Sequence, residues 1–314
     1  MLEKIDSSFE HSPVPSTPIL FLGGFGYGHE RNTAVGDVMM HDFDMTVMSA
    51  MPDVPRERGM NKFYAFEGGL VQERSFLGSV LHRGKRKPDA IVSDFQLGRM
   101  EQIVAHVEHE GVQEPIDIIA QSADCLAALL YAAKHPEMVT NVVMINPAGL
   151  IEPPRFVQSV KNVAHGIVRS RKGEKHRGVE DIFESKRQRN DTKKLGGFAM
   201  AASVQLSHQP HILRTLRKHE RAPGVAIVLG MQDMTVSPSG VLAQLESEDV
   251  DRVLITNTAH GISGSRAAIA NILESLRYLR GVDCPVASPL VDKIVWSQDV
   301  SEKDKSRLSA IAMR

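Results

Sequence analysis

A hydroxyl, an imidazole and a carboxylate can together cut an acyl bond: the hydroxyl attacks, the imidazole takes its proton and the carboxylate orients the imidazole. The sequence holds one of each directly after an apolar run: Ser122 in "IDIIAQSADCLAALLYAAKHP", Asp233 in "GVAIVLGMQDMTVSP" and His260 in "RVLITNTAHGIS". Ser122 is the most sharply placed. The aliphatic run passes through it into a small-residue helical pattern with no loop between, so a strand turns into a helix at the serine itself. Such a junction holds a side chain out at the carboxyl edge of a sheet, where doubly wound folds bind ligands. The helix that follows aims its free N–H groups at the same spot, ready for an anion. Taken singly, Asp233 also reads as a turn residue and His260 as a loop histidine.

The elements that must position these groups are legible as short apolar runs bounded by turn residues. They are "PILFLGG" (18–24), "FDMTVMSAMP" (43–52), "AIVSDF" (90–95), "IDIIAQ" (116–121), "TNVVMINPAG" (140–149), "GVAIVLG" (224–230) and "RVLITNT" (252–258). They are apolar throughout rather than alternating, as strands covered on both faces are. Helical patterns lie between several of them, over 98–111, 123–136 and 265–281. Strands alternating with helices predict an α/β fold with a mostly parallel central sheet flanked by helices.

With these elements in place, the serine run resembles the nucleophile elbow of the α/β-hydrolase fold family, G-x-S-x-G. Here "AQSAD" puts Ala120, Ser122 and Asp124 at the three key positions. Alanine keeps the first position small; aspartate at the last is the larger departure. The family's chain order is Ser, then Asp or Glu, then His, and Ser122, Asp233 and His260 follow it. The resemblance covers about residues 17–281 and implies Ser122 as nucleophile, His260 as base and Asp233 as its orienter.

The tetrahedral intermediate of acyl transfer needs two donors aimed at its oxygen. The N–H of Ala123, next after the serine, is one. The resemblance places the other in the loop after an early strand, here "LFLGGFGYGHE" (20–30), similar to the family's His-Gly-x-Gly form with Gly23 in the histidine place. Phe25 N–H is the expected donor, with Gly24 and Gly26 as loop support that lets backbone come close. A dinucleotide-binding loop would need its third glycine at position 29, which is His29, and no Gly-Lys-Ser/Thr follows. Asp124 has three readings: a favourable first-turn charge, a charge opposing the oxyanion, or a hydrogen bond that positions the cap or a substrate group.

The chain has 314 residues with a formal net charge of -1, which gives no global attraction to nucleic acid or an anionic membrane. No stretch approaches the roughly 18 apolar residues of a membrane span, and the N-terminal residues do not read as a signal peptide, so a cytoplasmic location is expected. Cys125 and Cys284 read as buried free thiols. His106 and His109, three apart on a helix, read as a solvated face rather than a metal site. Met39, Met40, Met45, Met48 and Met51 read as core or pocket wall.

One segment breaks the alternation. Residues 150–222 show no convincing strand and carry sixteen Lys and Arg against seven Asp and Glu, with "VRSRKGEKHRG" at the centre. In the light of the resemblance this is a basic helical cap (lid) insertion. The expected layout is a first core part at 1–149, the cap at 150–222, a second core part at 223–283 and a C-terminal tail at 284–314. The expected activity is hydrolysis of a carboxylic ester or lactone through an acyl-enzyme, on a small-molecule ester or acyl substrate, with no metal and no organic cofactor. Ser rather than Asp at position 122 argues against epoxide hydrolases and haloalkane dehalogenases of this pattern. Carbon–carbon bond hydrolases, thioesterases, cofactor-free lyases and non-catalytic ligand sensors share the fold and stay open as alternatives.

Overall fold

The six strands of the larger sheet run parallel, so their carboxyl ends share one edge, and Ser122 and Asp233 follow two of those ends. The structure is a computed structural model, and it describes residues 17–24, 29–49, 63–67, 70–74, 90–150, 209–233, 236–258, 265–281 and 288–314. Strands β1 (Ile19–Leu22), β2 (Phe63–Glu67), β3 (Leu70–Arg74), β4 (Ala90–Ser93), β5 (Ile116–Gln121), β6 (Val139–Ile145), β7 (Gly224–Gly230), β8 (Arg252–Thr256) and β9 (Ile294–Trp296) form two sheets. The larger runs in the order β1-β5-β6-β7-β8-β9 with all neighbours parallel.

Helices α1 (His29–Phe43), α2 (Asp94–His109), α3 (Asp124–Lys134), α4 (Gln209–Arg217), α5 (Pro238–Leu242), α6 (Arg266–Arg280) and α7 (Glu302–Ala312) cover both faces. Successive strand residues point to opposite sides, and the core divides accordingly. Leu20 and Leu22 join one cluster with Met100 and Ile103 of α2, Leu126 and Leu129 of α3, and Ile212 of α4. Ile19 and Phe21 join the other with Val35 and Met39 of α1 and Ile269, Ile272 and Leu276 of α6. Apolar residues on both sides of each strand are what a sheet sandwiched by helices requires.

Three expectations are revised. The run 90–95 does form a strand, yet β4 pairs antiparallel with β2 in a separate sheet of order β3-β2-β4. An apolar run reports burial and leaves the pairing partner open. The run 43–52 supplies only a bridge along β1, where Ile19 N–H donates to Thr46 O and Met48 N–H to Ile19 O, each at 2.8 Å. The residues read as a tail contribute β9, the sheet's sixth strand, and α7, which packs against α5. Of the expected insertion, 151–208 lie outside the described residues; α4 at its end packs on α3 with Ile212 and Leu213 fully buried.

The amino ends of the strands are locked by charge. Asp117, at the start of β5 and inaccessible to solvent, accepts from Arg280 Nε at 2.7 Å and from Asn141 Nδ2 of the paired strand at 2.7 Å. Arg280 also donates to Thr17 O at 2.8 Å, tying α6 to the chain entering β1. Burial pushes the Asp117 carboxyl above its ordinary value against the downward pull of Arg280. A raised native pKa means that the stability this group contributes is present below the unfolded carboxylate range and lost as pH rises through the native value. Replacing Arg280 with Met removes the opposing pull and leaves a buried carboxylate alone, at a cost of about 3–5 kcal/mol. Urea unfolding of Arg280→Met is expected to show that deficit near neutral pH and a smaller one as the pH is lowered, because the buried carboxyl without its cation takes up a proton more readily.

Candidate active site

Ser122 has φ of +54°, in the left-handed region that a side chain rarely occupies. Three backbone hydrogen bonds hold it there. Its N–H continues the β5–β6 ladder onto Ile145 O at 2.8 Å, while its carbonyl accepts from Cys125 N–H and Ala148 N–H, each at 3.3 Å. Ala123 follows with helical φ and ψ at the N-cap position, and α3 begins at Asp124. The junction read from the sequence is therefore a one-residue turn, and it stores strain of about 1–3 kcal/mol.

The neighbouring strand ends are tied to this turn. Asn146 also has positive φ, +44°, and is fully buried; its N–H donates to Val228 O and its Oδ1 accepts from Gly230 N–H, each at 2.8 Å. Met231 N–H donates to Thr256 O at 2.8 Å and Gln232 N–H to Thr258 O at 2.9 Å, so the segments leaving β7 and β8 run together past the edge of the sheet. Asp233 comes next, buried, with its N–H on Gly230 O and its Oδ1 accepting from Val236 N–H, both at 3.0 Å.

Gly24, two residues past β1, lies against the elbow. Its φ is +80°, and a Cβ there would sit 2.5 Å from Gln121 O and 3.1 Å from Ser122 Cβ. Only glycine fits both the conformation and the contact. Its N–H donates to Asp124 Oδ2 at 3.2 Å. The same carboxylate takes Arg99 Nε at 3.3 Å and Arg99 Nη2 at 3.1 Å, with both side chains almost completely buried. Asp124 is also the acidic residue in the first turn of α3, and its charge is compensated by the Arg99 guanidinium.

The structure thus brings Ser122, Ala123, Asp124 and Gly24 together, and places Asp233 at the same edge beyond β7. Phe25, Gly26 and His260 lie outside the described residues, as do Cys284, Met51 and the basic run 169–177. Arg99 and Asn146 are members of the site region that the sequence reading missed. For Arg99 the available signal was Asp124 itself, since a carboxylate in an apolar elbow requires a cation.

Among the residues set aside, Cys125 packs as expected. It is fully buried, its thiol donates to Ala120 O at 3.2 Å, and burial pushes its pKa well up, which keeps it a thiol. His106 corrects the solvated-face reading: it is buried, with Nε2 2.8 Å from Ser49 O, because that side of α2 packs on the chain following the β1 bridge. His109 is exposed. Met39 and Met48 are in the core, whereas Met40 is exposed on the outer side of α1. Among the described residues no cluster of three or more His, Cys, Asp or Glu could hold a metal, and no helix is long and apolar enough to cross a membrane.

No protein-family profile and no curated protein sequence matches the chain. In three dimensions it is similar to a carboxylesterase of the thaumarchaeon Nitrososphaera gargenis, with a TM-score of 0.51 at 15% identity over 87% of this chain and 94% of that one. It is similar also to a membrane phospholipase A described as a bacterial virulence factor, with a TM-score of 0.51 at 15% identity over 85% of this chain and 80% of that one. The chain has the α/β-hydrolase fold. Ser122 is the left-handed residue between β5 and α3. Its strain can be measured. Ser122→Gly should be more stable than Ser122→Ala by about 1 kcal/mol in urea unfolding, because the left-handed penalty of about 1–2 kcal/mol vanishes at glycine and glycine's entropy offsets part of the gain.

Proposed function

We propose that this chain is a serine hydrolase that cleaves a carboxylic ester or lactone through an acyl-enzyme. The observation that carries the reading is Ser122 held at φ +54° at the carboxyl edge of the sheet, immediately before a helix N-terminus. Strain at a polar side chain in that place is expected where the side chain must be presented to a ligand. The names of the structural neighbours, a carboxylesterase and a phospholipase A, agree with ester substrates.

In this mechanism His260 takes the Ser122 hydroxyl proton as the oxygen attacks the ester carbonyl, and the oxyanion is met by Ala123 N–H and Phe25 N–H. The imidazolium then gives its proton to the leaving alcohol. Water, deprotonated by the same imidazole, attacks the acyl-enzyme and releases the acid. Asp233 orients His260 and stabilises its charged form. Supporting this pairing, Gln232 N–H is bonded to Thr258 O, and His260 is two residues further on, within about 7 Å of Thr258 along the chain. A helical cap within 150–222 belongs to the same reading, and its net positive charge favours acidic groups on the substrate. A cytoplasmic setting and a small-molecule substrate belong to the same reading.

Initial rates on p-nitrophenyl esters of graded acyl length test it. Wild type should turn them over, with a rate that rises as pH passes the ordinary histidine range near ~6.5, since the base must be neutral. Ser122→Ala and His260→Ala should each lower kcat by at least about 10³-fold, and a fluorophosphonate should label wild type but not Ser122→Ala. Turnover surviving Ser122→Ala would overturn the assignment.

A further inference from the structure

Of the chain's departures from the α/β-hydrolase pattern, Gly23 in the histidine place and Asp124 in the second glycine place meet. The N–H of Gly24, next after Gly23, donates to Asp124 Oδ2 at 3.2 Å. We propose that Asp124, clamped by Arg99, is a positioning residue that latches the oxyanion loop to the nucleophile elbow. The proposal rests on the reading of Ser122 as nucleophile and of Phe25 N–H as oxyanion donor.

Gly23 and Gly24 have no side chains with which to fix the backbone there, and a glycine pair loses more freedom on ordering than any other. An anchor must come from across the gap. The turn at Ser122 supplies it. The Gln121 carbonyl oxygen would lie only 2.5 Å from a Gly24 Cβ, so the two backbones are in close approach, and the Asp124 carboxylate accepts from the Gly24 N–H at 3.2 Å. The Gly24 N–H sits one peptide unit before the Phe25 N–H, so fixing the first peptide plane sets the start of the second.

The anchor itself cannot move. Asp124 is the first residue of α3, and its two oxygens take contacts at 3.1–3.3 Å from Arg99 Nε and Nη2. Arg99 in turn belongs to α2, which packs along α3, and its Nη1 donates to Gln102 Oε1 at 3.2 Å. The guanidinium also answers the electrostatic objection to an acid here. A bare carboxylate two residues past the nucleophile would oppose an oxyanion, whereas the Asp124–Arg99 pair is neutral as a unit and still offers a charge-assisted acceptor to the loop. Glycine at position 124, the family's residue, would leave this particular loop unheld.

The test measures kcat and KM on a p-nitrophenyl ester together with hydrogen exchange of the Gly24 amide by NMR. It compares wild type, Ser122→Ala, Asp124→Asn and the double variant Arg99→Met/Asp124→Gly, which removes the pair without stranding a buried charge. Asp124→Asn keeps an oxygen acceptor but loses its charge, so kcat should fall by about 10-fold with KM within about 2-fold. The double variant should lose about 10²-fold in kcat, again with little change in KM, and its Gly24 amide should exchange at least about 10-fold faster while amides of β5 and β6 keep their protection. Unchanged kcat in the double variant, an effect confined to KM, or a loss of protection spread evenly through β5 and β6 would overturn the latch while leaving the nucleophile in place. If wild type shows no turnover, or Ser122→Ala is equally active, the hydrolase reading fails. The Gly24 amide then decides: faster exchange in the variants upholds the latch as a loop anchor, and unchanged exchange overturns it.

Discussion

A strand that must become a helix within one residue imposes the constraint from which the rest of the site region follows. Ser122 meets it by taking left-handed φ, and nothing local favours that conformation for a serine. The strain persists because its surroundings over-determine it: one bond from the neighbouring strand and two onto its carbonyl fix both adjacent peptide planes. The small residues on either side are part of the same constraint. Ala120 is fully buried between β1 and β6, and Ala123 is nearly so at the head of α3, while Ser122 between them is half-buried.

The same edge needs its other strand ends held in step, and this is done by backbone rather than by side-chain packing. Asn146 repeats the left-handed solution one strand over, and its amide oxygen spans to Gly230, the last residue of β7. From there the Met231 and Gln232 amides reach to the chain leaving β8. The result is a row of strand ends from β5 to β8 with few degrees of freedom. Groups that must act within hydrogen-bond reach of one another require such a frame, because an ångström of misplacement costs much of the effect.

Much of this frame is legible in the sequence because each strand is apolar on both faces and each flanking helix carries its own period. The junction at Ser122 is legible for the same reason, since the aliphatic run has no turn residue before the helix. What escapes the sequence is pairing and partnership. Strands β2 and β3 pair antiparallel, Glu67 opposite Leu70, and β4 joins β2 rather than the large sheet. Strand β9 is three residues long, too short for periodicity to mark. Arg99 escapes because an arginine in an amphipathic helix reads as solvated; Asp124 signals that a cation is needed, and the fold shows which one.

Buried charge separates the two edges of the sheet. Asp117 with Arg280 and Asp251 with Arg217 lie at the amino edge; Asp251 also accepts from Val225 N–H at 2.8 Å and so fixes where β7 begins. Each pair ties the start of a strand to a helix of the opposite layer or of the adjoining segment. Taking such charges out of water is costly, and hydrophobic replacements often match them in stability, so their value lies in register rather than in energy. Asp124 with Arg99 has the same chemistry at the carboxyl edge, where what it fixes is a loop instead of a strand. A strained turn needs neighbours that do not yield. With the amino edge pinned by two ion pairs and the carboxyl edge laced by backbone, relaxation of Ser122 toward ordinary φ would have to displace several strands at once.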